Sequence, residues 1–189
     1  MKKIISFALL CMILSPISCD KIKEATSKDF KVKNVNFNFS AESIAGTPAK
    51  SAEAMIMRAA ATQTFTETRT VNISEIGSDD VMEYASKISK VSVDNSLIKI
   101  TVNPAGTYTV ESLTITAAGV TGSIIVPSYT IGDTFTLSSD MNAFTNAFIM
   151  KLLSAKSVSV TVTGTTDAPV GTTINVSYIS DLIFTASIL

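Results

Sequence analysis

The chain contains no histidine and no tryptophan. Without histidine there is no imidazole base for a serine or cysteine nucleophile and no imidazole metal ligand. Without tryptophan the broadest flat platform for stacking a sugar or a base is missing. Charged residues are only 16% of the chain and the net charge is -1, whereas a nucleic-acid binder needs a basic field that releases counterions. Nucleic acid is therefore not an expected partner. The eight glycines stand singly, at 46, 77, 106, 119, 122, 132, 164 and 171, so no glycine-rich loop is available to cradle a phosphate. No catalytic residue, cofactor site or metal site is assigned, and a non-enzymatic protein is expected.

What is present suits one folded domain. The chain has 189 residues and 46% of them are hydrophobic, enough for a core that stands without cross-links. Met1-Lys2-Lys3 is a short basic start. Ile4 to Ile17 is then almost wholly apolar, broken by Ser6, Cys11, Ser15 and Pro16. A spanning helix needs roughly 20 apolar residues, and this run is shorter. It fits the apolar region of a signal peptide covering 1–18. The run ends at Pro16-Ile17-Ser18-Cys19, and Asp20-Lys21 opens a polar stretch.

Ser18-Cys19 resembles the lipobox of bacterial lipoproteins, in the form with Ser before Cys common in Bacteroidota. Pro16 stands where a Leu-like residue is usual. The resemblance covers about the first 20 residues and implies that Cys19 is acylated and becomes residue one. It implies an outer-membrane lipoprotein of the cell envelope, held to the membrane through its N-terminal lipid and facing either the periplasm or the cell surface. Cys11 follows bulky Leu9 and Leu10 and does not fit. With 1–18 removed, Cys19 would be the remaining cysteine, so no internal disulfide is expected. Residues 19–31 alternate Lys with Asp and Glu and read as a polar tether. Residues 32–189 read as a single β-rich domain.

Hydrophobic periodicity carries the fold reading. Val35, Phe37 and Phe39 share one strand face. Residues 41–63 are rich in Ala and Ser, and Ser51 to Ala61 is either a short surface helix or a loop. In Thr64 to Ile73 the threonines 64, 66, 68 and 70 share one face. Phe65, Glu67, Arg69 and Val71 share the other, which predicts burial only at the strand's ends. Ser78 caps a predicted helix near 78–89, with Asp79 and Asp80 in its first turn and Val81, Tyr84, Ala85 and Ile88 as its stripe. Leu97–Val102 and Tyr108–Ala117 read as strands joined by a hairpin turn at Asn103-Pro104-Ala105-Gly106. A phase slip near Glu111-Ser112 predicts a β-bulge. Short strands follow at 123–126 and 134–137, then a half-buried helix near 139–153.

Val158, Val160 and Val162 alternate with Ser and Thr. After a connection at Gly164–Thr172, alternation from Ile174 to Ile188 runs for fifteen residues. That is long for one strand, so a bend or bulge is expected at Asp181. Serine and threonine, 24 of each, sit opposite Val and Ile, the pattern of half-buried antiparallel sheet. The predicted architecture is mainly β: an antiparallel sandwich or curled sheet of seven or eight strands with two short covering helices. A two-layer α+β domain is the alternative.

Candidate contacts are few. Tyr108 and Tyr129 are the aromatics near turn signals and are the candidate ligand contacts. Asp133 and Asp167 fall in turns and Asp140 at a helix start, where Asp has a structural role. Glu111 and Asp181 interrupt strands, and a carboxylate hydrolase would need such a pair in one cleft. The leading expectation is binding or assembly with an unknown envelope protein or glycan. The final apolar strand suits a sheet edge or donation to a neighbour, as in a fimbrial-type subunit. The alternative is a glycan- or small-ligand-binding lipoprotein of an uptake system.

Overall fold

The computed structural model describes residues 27–46 and 62–187. Cys19, the leader and the segment 47–61 lie outside the described residues. Two antiparallel sheets pack face to face. The first has the order β1 (Ser27–Glu42), β10 (Thr173–Ser187), β4 (Ile88–Asn103) and β8 (Thr134–Thr136). The second runs β2 (Ile44–Ala45), β3 (Gln63–Asn72), β9 (Ser157–Thr166), β5 (Thr109–Ala117) and β6 (Ile124–Val126), with β7 (Tyr129–Thr130) also on β5. This is the mainly-β, sandwich-like class that the alternation predicts, rather than a single sheet with helices on one side.

The longer strands contribute alternate residues to one core. Val35, Phe37 and Phe39 of β1 meet Ile98 and Ile100 of β4 and Ile174, Val176, Leu182 and Phe184 of β10 on the first inner face. Phe65, Val71, Val110, Leu113, Ile115, Val158, Val160 and Val162 form the second. Helix α1 (Asp79–Tyr84) is capped by Ser78, whose hydroxyl accepts the Val81 N–H at 3.4 Å. It is shorter than the expected 78–89 because Ile88 already pairs with Ala186 as the start of β4. Helix α2 (Ser139–Ala155) packs against β4 and β9. It buries Phe144, Phe148, Ile149, Leu152 and Leu153, and Lys156 ends it in a left-handed conformation at φ 67°. Inside, the Tyr178 hydroxyl bonds to the Thr145 hydroxyl, tying β10 to α2.

Three expectations need correction. First, β1 begins at Ser27, because 27–32 pair with 182–187 of β10. Residues 27–31 therefore belong to the sheet and not to the tether. Second, the Pro/Gly turns at 103–108 and 167–172 do not close hairpins. Each carries the chain from one sheet to the other, so β4 pairs β10 and β5 pairs β9. Turn residues specify a reversal but not the partner of the returning strand. The two connections are cross-linked at one pole: the Thr109 N–H donates to Asp167 Oδ1 at 2.7 Å, and the Thr166 hydroxyl donates to Thr109 O at 2.8 Å. Third, the C-terminal strand is neither an edge nor donated. β10 lies inside the first sheet, paired with β1 on one side and β4 on the other. It also runs unsplit, because the irregularity expected at Asp181 is taken up by its neighbours. Both β1 and β4 carry one extra residue opposite it, between Val32 and Val35 and between Val93 and Asn95.

Candidate binding face

Tyr108 and Tyr129 lie on neighbouring segments, with the Ile131 N–H bonded to Tyr108 O at 2.8 Å. Both rings pack within the fold. Tyr108 folds over its own turn, so that a Cβ at Gly106 would fall 2.4 Å from the ring. Tyr129 packs at 6.3 Å from the Phe135 ring, and its hydroxyl is buried. Burial pushes its phenol well above the usual value, the Asp133 carboxylate adds to this, and the Ile100 backbone opposes it. Glu111 sits at the expected bulge, between Val110 and Ser112, on the second sheet. Its carboxylate accepts the Thr62 hydroxyl at 3.5 Å. Asp181 lies on the first sheet beside Asn34. The two carboxylates stand on different sheets and share no cleft.

Polar side chains cluster at two places on the first sheet's rim. Opposite Asp181, Lys31 of β1 reaches across β10 to an ion pair with Asp94 of β4. The hydrogen bond it donates to Asp94 holds the Lys31 ammonium above its ordinary value; desolvation opposes this, and the charges of Asp94 and Asp181 reinforce it. At the seam between β1 and β3, Arg69 lies 4.7 Å above the Phe39 ring and donates through Nε to Asn38 O at 2.7 Å. Its terminal nitrogens make a paired bond to Glu75 at 3.1 and 2.8 Å. Glu75 Oε1 also accepts the Asn72 N–H at 2.8 Å. The face shared by Glu67 and Arg69 is accordingly half-buried at those two residues and buried toward the ends of the strand, at Gln63, Phe65 and Val71, as the alternation implies. Among the described residues, no group of three or more Cys, Asp or Glu side chains could hold a metal ion.

The outer face of the second sheet is unlike the rest of the surface. From Thr64 to Thr70 on β3, Ser157 to Thr165 on β9 and Ser112 to Thr116 on β5, every outward residue is Ser or Thr. Register aligns them in rows across the strands: Thr64, Thr165 and Ser112; Thr66, Thr163 and Thr114; Thr68, Thr161 and Thr116. The β3–β9 ladder runs without a bulge from Gln63–Thr166 to Asn72–Ser157. Hydroxyls bond along the rows, Thr68 with Thr161 at 2.9 Å and Ser112 with Thr165 at 2.8 Å. An open depression of about 250 Å³ is lined by Thr64, Thr66, Thr114, Thr163 and Thr165. Beneath it lies Gly164, where a Cβ would stand 2.3 Å from Phe65 Cζ and 2.6 Å from Ser112 O. Only glycine lets the Phe65 ring cross there.

Alternation along single strands shows each threonine row end-on. The array across three strands becomes visible only once β3, β9 and β5 are known to be neighbours in register, and no local signal in the sequence pairs them.

No known protein family matches the chain, and no curated protein matches it in sequence. Among solved structures, it is similar to a chain of Desmodium yellow mottle tymovirus, with 10% identity and a TM-score of 0.35 over 86% of this chain and 90% of that one. It is also similar to a chain of the Israeli acute paralysis virus full particle, with 11% identity and a TM-score of 0.28 over 88% of this chain and 76% of that one. At these TM-scores the likeness carries no argument.

Proposed function

We propose that this chain is a non-enzymatic lipoprotein of the bacterial envelope, anchored through Cys19, whose β-sandwich presents a binding surface. The observation that carries the reading is the apolar leader ending in Ser18-Cys19. The start of β1 at Ser27 fits it, because it lies eight residues beyond that cysteine. That length of chain reaches at most about 28 Å when extended, so an acylated Cys19 would keep the domain close to the bilayer. Ser27 shares its pole with Ser187 and with Ile88, at the start of β4. The connections at 103–108 and 167–172 would then point away from the membrane. The threonine face would stand along the side of the domain.

Cells fed an alkyne-bearing fatty acid test this directly. The native chain is expected to incorporate label, and Cys19→Ser is expected to lose it. Label that survives in the variant would sink the anchor.

A second reading, a glycan- or small-ligand-binding lipoprotein of an uptake system, is favoured by the depression among Thr64, Thr66, Thr114, Thr163 and Thr165. Retention on an insoluble neutral polysaccharide, lost when Thr163 is changed to Tyr, is the outcome expected of it.

A further inference from the structure

The threonine face meets three conditions that together select its ligand. It carries no charge along the rows of β3, β9 and β5, and the carboxylate that borders them, Glu111 beside Ser112, accepts the Thr62 hydroxyl, so an ionic partner meets one charge at a corner rather than a charged surface. No aromatic ring lies on these rows, so a sugar has no platform for stacking. The face is also small. Three strands about 4.8 Å apart and seven residues rising about 3.3 Å each cover roughly 300 Å². A stable protein interface needs roughly 800 Å² per partner. A second copy of this chain, or another protein, would therefore gain little from this face alone.

What the face does have is repetition in two directions. Strand spacing repeats its hydroxyls about every 4.8 Å across the sheet, and alternate residues repeat them about every 6.7 Å along it. Threonine is β-branched and stiff at χ1, so the hydroxyl and the methyl keep their places without further ordering cost. The bonds between Thr68 and Thr161 and between Ser112 and Thr165 hold the rows together. Each hydroxyl keeps further capacity toward solvent, because it has one donor and two acceptor positions. Exchanging a water for a sugar hydroxyl yields little net free energy at such a site. Holding waters in a fixed net loses none of their hydrogen bonds. Hexagonal ice repeats its surface oxygens on nets of similar proportions.

From this registered, uncharged array we propose that the outer face of β3, β9 and β5 binds ice. The inference rests on reading this domain as a binding protein and names the ligand class of that face. Sheet twist rotates neighbouring strands by about 20–25°. The match is therefore confined to the central rows, Thr66–Thr163–Thr114 and Thr68–Thr161–Thr116. The expected activity is restraint of ice recrystallisation rather than a large lowering of the freezing point.

The test uses the full chain carrying Cys19→Ser, so that no detergent is needed. It measures incorporation into a slowly growing ice front and crystal growth in an annealed frozen film. Thr161→Tyr and Thr163→Tyr place bulk on the array while keeping high β propensity. Thr101→Tyr does the same on the outer face of the other sheet, where Thr101 is exposed. Thermal melts confirm that all variants fold, and Thr163→Val, which keeps the β-branched shape and removes the hydroxyl, serves in place of either variant that does not and is expected to weaken ice binding likewise. The parent and Thr101→Tyr are expected to enter ice and to restrain growth. Thr161→Tyr is expected to lose at least about tenfold in affinity, equivalent to about 1.4 kcal/mol. A parent excluded from ice as fully as its variants overturns the inference. If that parent is retained on insoluble polysaccharide and Thr161→Tyr is not, the face remains a binding surface and ice is the wrong ligand. If neither surface holds the parent, binding by this face fails as well, while the anchor at Cys19 is judged separately by its lipid.

Discussion

The Asp181 carboxylate accepts the backbone N–H of Asn34 at 2.8 Å, and Asn34 is held left-handed at φ 56°. This contact spans 147 residues of chain. It fixes the place where β1 takes in an extra residue and its inward positions change from Phe30 and Val32 to Val35, Phe37 and Phe39. β4 makes the same change on the other side of β10, from Val91 to Ile98 and Ile100. Asp181 therefore anchors the bulge in β1 and stands level with the matching one in β4, while its own strand keeps alternating.

Asn34→Ala is expected to cost about 1 kcal/mol, because alanine pays for the left-handed backbone that asparagine tolerates. Asn34→Gly should be close to neutral. Asp181→Ala should cost about 1 kcal/mol for the lost bond to the Asn34 N–H. Urea denaturation of the three variants checks this. Equal losses for Ala and Gly at position 34 would show that backbone conformation is not what matters there.

Much of this fold is legible because burial writes itself as alternation. Phe37, Val160 and Ile174 declare their faces, Ser78 declares a helix start, and Glu111 marks its own bulge. The double bulge is half-written. The phase change from Val32 to Val35 is visible, but its cause is a residue 147 positions away. The crossing connections at 103–108 and 167–172 are not legible, because a turn looks the same whether the returning strand pairs with its predecessor or joins another sheet. The threonine face fails for a related reason. Its rows exist only through pairing between β3, β9 and β5, which no local pattern encodes. Tyr108 and Tyr129 stand out near turns, and the packing of their half-buried rings on Gly106 and Phe135 is a tertiary detail that the turn signals do not carry.

Gly164→Ala is expected to destabilise the domain by about 1–3 kcal/mol, the usual penalty for overpacking. The added carbon would overlap the Phe65 ring and the Ser112 carbonyl. Pairing it with Phe65→Leu should recover part of the loss, since the ring is the softer obstacle. Thermal melts of the single and double variants read this out. No recovery would mean that the Ser112 backbone is the limiting contact.

The seam between the sheets should be acid-sensitive through Glu75. Partial burial raises its carboxyl, but the hydrogen bond from Arg69, the Asn72 N–H and the Arg69 charge outweigh this and hold it below its ordinary value. The stabilising contribution is therefore present above the ordinary glutamate range and disappears as pH falls through the lowered value. Glu75→Gln should be less stable than the parent at neutral pH, and the gap should close in acid. A gap that stays constant from neutral to acidic pH would contradict the assignment.

Deleting residues 182–187 should prevent folding. The deletion removes Leu182, Phe184 and Ala186 from the core and leaves residues 27–32 of β1 and 88–93 of β4 without their shared partner. Far-ultraviolet circular dichroism and a cooperative melt decide the point. A truncated chain that melts cooperatively would refute the central placement of β10.

The most direct test of the envelope assignment is the intact mass of the protein isolated from its own cells, beside Cys19→Ser, with membrane fractionation of both. The account predicts a diacyl or triacyl adduct on a chain that begins at Cys19, recovered in the membrane and lost from both mass and membrane in the variant. An unmodified chain, cut elsewhere and found free in the medium, would contradict it.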